Sequence, residues 1–132
     1  MDLIKITSDK EKAKSILKMA ALIEERVSKQ NEEKMTALII SDYYEMIKEL
    51  ITAILLIDGY KTLSHKDLID YIKEKYKEFN AREISILNDL RVLRNKIAYE
   101  GFFVEPFYLK RNESIYQEII KNIKELIMKK LK

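Results

Sequence analysis

Arg94, Asn95 and Tyr99 lie close together in "LRVLRNKIAYEG", Leu90 to Gly101. A guanidinium is a planar fork of donors that fits carboxylate or phosphate. A phenol has a reference pKa near about 10, so at neutral pH it donates a hydrogen bond and is a poor base. Anion binding, and stabilisation of a charged phosphorus centre, are the chemistry these three residues offer. A proton acceptor is what they lack. Arg94, Asn95 and Tyr99 are therefore the candidate nucleotide- or RNA-binding residues, with Arg94 and Tyr99 the candidates for any catalysis.

The helix that must carry them has a regular apolar arc. At about 100° per residue, Ile86, Leu87, Leu90, Leu93 and Ile97 share one side. Arg94 falls inside that arc, and Arg91, Asn95 and Tyr99 form a separate lane. An arginine on a packed surface needs an acceptor. Glu45, Glu49 and Thr52 form a polar lane on an earlier helix, and the two glutamates are the candidate supporting carboxylates. Two readings stand. In one, Arg94 makes a structural ion pair with Glu45 or Glu49 while its stem covers the core. In the other, it lines an anion pocket.

Five helices are expected. The first begins at Ser8, with Glu11 at capping-box spacing. The second runs roughly from Glu32 to Asp58, with Gly59 as its stop. Its "ITAILLI", Ile51 to Ile57, is apolar all round and must be covered on several sides, and a dimer partner could supply part of that cover. Ser64 and Asp67 open a short third helix. Asn80 and Glu83 open the fourth, which runs to about Tyr99. The stretch "FFVEPFYLKR" reads as an aromatic connector, because proline forces its predecessor into an extended conformation. Asn112 caps the last helix. The expected fold is an all-α, up-and-down bundle in one domain, residues 1–132.

The composition narrows the chemistry. The 132 residues include no cysteine and one histidine, His65, so a thiolate metal site is excluded and a zinc site would rest on His65 alone. No metal and no cofactor is expected. The two glycines, Gly59 and Gly101, cannot form a phosphate-cradling loop. A net charge of +3 permits nucleic acid as a partner without arguing for it. No apolar run approaches the roughly 20 residues of a membrane span, and "MDLIKITSDKEK" has no signal-peptide core, so a cytoplasmic protein without a membrane partner is expected. The weight of lysine, glutamate and isoleucine over glutamine resembles the bias of thermophile proteins.

The order "YYEMIKELITAILLIDGY", "SHKDLIDYIKEKY", "LRVLRNKIAYEGFF" resembles the HEPN domain family over roughly residues 8–130. That resemblance implies a small helical domain, often a homodimer. Many such domains are metal-independent ribonucleases or toxins of toxin–antitoxin and defence systems, and others are partners of minimal nucleotidyltransferases. Arg94 matches the signature arginine and Asn95 the polar residue after it. Tyr99 stands at the signature histidine, and Gly101 where some members have a modifiable tyrosine. Three expectations result. The first is a nucleotide- or RNA-phosphate-binding homodimer with altered or lost nuclease activity. The second is an active endoribonuclease. The third is a non-enzymatic module that pairs with a nucleotidyltransferase-type protein. His65 opens a different helix, and it could replace the missing base only if the fold brought it near.

Overall fold

The computed structural model describes all 132 residues. Five helices, α1 (Lys10–Ser28), α2 (Glu32–Asp58), α3 (His65–Lys75), α4 (Ala81–Glu100) and α5 (Pro106–Leu131), are joined by two strands of two residues each, β1 (Ile4–Lys5) and β2 (Tyr60–Lys61). The chain is an all-α helical bundle, with α2 at its centre, packed on α1, α3, α4 and α5. This central position explains "ITAILLI". Ile51, Ala53, Ile54, Leu55, Leu56 and Ile57 are all buried within the single chain. The cover that a dimer partner could have supplied at this segment comes from within the chain.

The helix boundaries follow local chemistry. Asn31 caps α2 by accepting from the Lys34 amide at 2.9 Å, and Gly59 ends it in the left-handed region at φ 89°. A Cβ at Gly59 would come within 3.0 Å of the Ile6 carbonyl oxygen, so backbone approach as well as φ requires glycine there. Ile6 follows directly on β1, which pairs antiparallel with β2 in the register Ile4 to Lys61 and Lys5 to Tyr60. Ser64 caps α3, and Asn80 with Glu83 forms a reciprocal capping box on α4. Gly101 ends α4 at φ 63°.

Two boundaries differ from expectation. The cap of α1 is Asp9, which accepts from the Lys12 amide, whereas the Ser8 hydroxyl donates to the Ile57 carbonyl at 2.6 Å. Ser8 thus ties the N-terminal segment to the end of α2. The second difference is at α5, which begins at Pro106 and not at Asn112. Proline fits the first helical turn because no helical partner is needed for its missing N–H. Asn112 lies inside the helix and donates back to the Tyr108 carbonyl at 2.8 Å. Six of the ten residues of the expected connector are therefore helix, and only Gly101 to Glu105 link α4 to α5.

The far end of α2 is closed by a polar knot. Asp58 accepts from the hydroxyls of Tyr71 and Tyr76 and pairs with Lys130 at 2.5 Å. The Lys130 ammonium also lies 5.0 Å from the Tyr76 ring centre. Through these contacts one carboxylate joins α2, α3 and the last turn of α5. No helix is long and apolar enough to cross a membrane.

Candidate anion site

Position α4 against α2 and α3, and the charged residues fall into place. Arg91 and Arg94 sit three residues apart, on neighbouring positions of the helix surface. Both are half-buried. The Arg94 guanidinium lies 5.8 Å from the ring centre of Tyr44, a buried residue of α2. The His65 imidazole, from the first position of α3, stands 6.0 Å from the same ring. One tyrosine ring thus carries an arginine from α4 and the single histidine from α3.

Arg94 has no carboxylate partner. Its one hydrogen bond is a long contact of 3.5 Å to the side-chain oxygen of Asn95, its neighbour. The ion pair with Glu45 or Glu49, the first of the two readings, is not made. The reason is Lys48, one turn along α2 from Tyr44. Its ammonium takes Glu45 at 2.5 Å and Glu49 at 3.5 Å, so the two candidate carboxylates are paired within their own helix and together retain one net negative charge. Thr52 is likewise occupied, donating to the Lys48 carbonyl at 2.9 Å. Arg91 forms no ion pair either, and its Nε is buried without a hydrogen-bond partner. Elsewhere in the chain, Arg26 shows what a satisfied arginine looks like: it grips Asp42 with two bonds, at 3.0 and 2.7 Å.

These charges act on the groups between them. Burial pushes the Tyr44 phenol up to about 12, and Arg91 and Arg94 pull against that rise. Burial also lowers the His65 imidazole from its ordinary value. Lys48, Arg94 and Arg91 lower it further, and Glu45 works in the opposite direction. The histidine is therefore held neutral near pH 7, the form that accepts a proton.

Tyr99 does not join the group. It is 79% exposed and makes no hydrogen bond or ring contact with Arg94, Asn95 or Tyr44. Five residues past Arg94 on a helix is a rotation of about 140°, so the two side chains leave α4 in different directions. The sequence placed Arg94, Asn95 and Tyr99 in one site. The fold keeps Arg94 and Asn95 together, leaves Tyr99 outside, and adds Tyr44, Lys48, His65 and Arg91. Within α2, Tyr44 and Lys48 have the spacing of side chains on one helix face, as Arg91 and Arg94 do within α4. The approach of His65 had no signal in the sequence, because it depends on how α3 packs across α2 and α4.

The cluster is cationic and contains a neutral base, an acceptor-poor arrangement suited to an anion. No group of histidines and carboxylates is arranged to hold a metal ion. Scans against protein-family models, curated proteins and solved structures find no match to this chain.

Proposed function

We propose that this chain is a HEPN-like homodimeric domain that binds the phosphate of a nucleotide or RNA, of the kind found in toxin–antitoxin or defence systems. One observation carries the reading. Two half-buried arginines, Arg91 and Arg94, lie beside one another with no carboxylate to neutralise them. Leaving charge partly desolvated and unpaired is costly, and a folded chain tolerates it where a ligand supplies the counter-charge. Phosphate fits the planar donor forks of two guanidiniums better than any group within the chain.

Pairing with a second copy draws support from a different surface. Val92, Phe102, Phe103 and Phe107 are exposed together around a groove of about 450 Å³ at the junction of α4 and α5. Leu38, on the adjoining start of α2, is exposed as well. Contiguous apolar surface of this kind marks an interaction site.

The test is binding of labelled single-stranded RNA and of a ribonucleotide, at two salt concentrations, beside Arg94→Ala. The reading requires binding that weakens with salt, and a smaller salt dependence in the variant. Absence of binding to either probe would remove the reading.

A second reading, an active metal-independent endoribonuclease, is favoured by His65. Transesterification by a 2′-hydroxyl wants a base beside a cationic stabiliser. With Tyr99 outside the cluster, His65 is the group beside Arg94 able to take that proton. Cleavage of RNA in the presence of chelator, lost in His65→Gln, would establish it.

A further inference from the structure

The charges around Tyr44 distinguish one form of phosphate from another. A phosphodiester inside an RNA strand carries one negative charge. A terminal phosphate carries about −1.5 to −2 near neutral pH. Around the ring, Arg91, Arg94 and Lys48 carry three positive charges and Glu45 and Glu49, both paired with Lys48, carry two negative ones, which leaves a net charge of +1 while His65 is neutral. That charge matches a monoanion as it stands, and a dianion is matched when His65 adds a further positive charge by taking up a proton.

His65 makes the match depend on a proton. The groups that face it are Tyr44, Glu45 and Lys48 from α2, and Arg91 and Arg94 from α4. In the free protein the three cations oppose protonation of the ring. A bound dianion cancels that opposition and offers the imidazolium an acceptor, so ligand and proton favour one another.

We propose that the cluster of Arg91, Arg94 and His65 recognises the terminal phosphate of a nucleotide or RNA end, and that His65 takes up a proton as this phosphate binds. The proposal rests on the phosphate-binding reading above and deepens it by naming the ligand's charge state. No bond is made or broken: one proton passes from solvent to the imidazole.

The single histidine gives an unambiguous probe. Its ring resonances are followed by NMR against pH in the free protein, then with a saturating ribodinucleotide carrying a 5′-phosphate, then with the same dinucleotide bearing a 5′-hydroxyl. The affinities of both ligands are measured at pH 6.5 for the unmutated protein, His65→Gln and Arg94→Ala. The phosphorylated ligand is expected to raise the midpoint of His65 by about one pH unit or more, which corresponds by linkage to about tenfold in affinity between a pH above both midpoints and a pH below both. It is expected to bind at least about tenfold more tightly than the hydroxyl form, and His65→Gln should remove most of that advantage. Equal binding of the two dinucleotides, both weakened by Arg94→Ala, would overturn the terminal-phosphate proposal and leave the phosphate-binding reading standing. An unmoved His65 midpoint at saturation would overturn the proton uptake. Binding that Arg94→Ala leaves unchanged would overturn both.

Discussion

Arg94 and His65 meet at the ring of Tyr44, the guanidinium 5.8 Å and the imidazole 6.0 Å from its centre. They come from different helices, twenty-nine positions apart in the chain by their residue numbers. A buried tyrosine of the central helix supplies the surface on which they meet, so the geometry of the cluster depends on the packing of α2 against α3 and α4. This relationship determines how each residue should respond to substitution.

Arg94→Ala should barely change stability. No buried carboxylate is orphaned by it, because Glu45 and Glu49 are held by Lys48. What is lost is the contact with Tyr44, about 1 kcal/mol or less at a partly exposed site. A buried ion pair would instead cost on the order of 3–5 kcal/mol when broken. Urea unfolding distinguishes the two. A loss in the larger range would return Arg94 to a structural role and expose a partner that the folded chain does not display.

Stability should fall as the medium is made acidic, and His65 should be one source of the fall. Its imidazole is lowered in the native state by burial and by the cations around it. The sign follows from proton binding. Between the lowered native value and the unfolded value of about 6.5, the unfolded chain binds a proton that the native chain does not, so falling pH favours unfolding. Above about 6.5 neither state binds it, and this contribution is flat. Unfolding free energies of the unmutated protein and of His65→Gln, measured from pH 5 to pH 8, should converge toward low pH. Parallel curves would mean that His65 titrates alike in both states.

Much of the bundle was legible in the sequence, and the cluster only in part. Caps such as Ser64 and Asn80 are local devices whose partners lie three residues away, so the sequence carries them whole. The start of α5 was missed because the same proline that ends a helix also opens one, and the choice is settled by tertiary packing of Leu109 in the core. The apolar surround of Ile51 to Ile57 marked burial correctly but could not say by what; the answer is neighbouring helices of the same chain. Arg94 stood out because it interrupts an apolar arc. Its approach, with His65, to the ring of Tyr44 depends on packing between helices, and periodicity along one helix contains no information about it.

Asp58→Ala should destabilise the fold on the order of 3 kcal/mol, since it leaves the Tyr71 and Tyr76 hydroxyls and Lys130 without their shared acceptor. Asp58→Asn keeps an acceptor for the hydroxyls and loses the charge pairing, so its loss should be smaller. Denaturant unfolding of both variants tests the ranking. Equal and negligible losses would show that the knot is a surface arrangement without energetic weight.

Tyr99→Phe should leave affinity for RNA and nucleotide within about a factor of two, because removing a hydroxyl that touches no other site group changes little of the binding free energy. The same substitution should leave any chelator-resistant RNA cleavage intact, whereas His65→Gln should abolish it. Loss of cleavage in Tyr99→Phe with activity kept in His65→Gln would move the proton chemistry back to the tyrosine.

The exposed aromatic end of the bundle bears on assembly. Phe103 is 89% and Phe107 61% exposed, flanking the groove that Val92 and Phe102 line. Rings this open to water lose little conformational freedom when covered and gain the full transfer of their apolar area, about 25 cal/mol per Å². Sedimentation at micromolar concentration should therefore give a dimer. Phe103→Glu combined with Phe107→Glu should give a monomer with unchanged helical circular dichroism, because neither side chain supports the core. Each carboxylate would have to be buried unpaired in the dimer, and that opposes association by several kcal/mol. A monomeric unmutated protein would separate this surface from self-association. A dimer that survives both substitutions would place the interface elsewhere on the bundle.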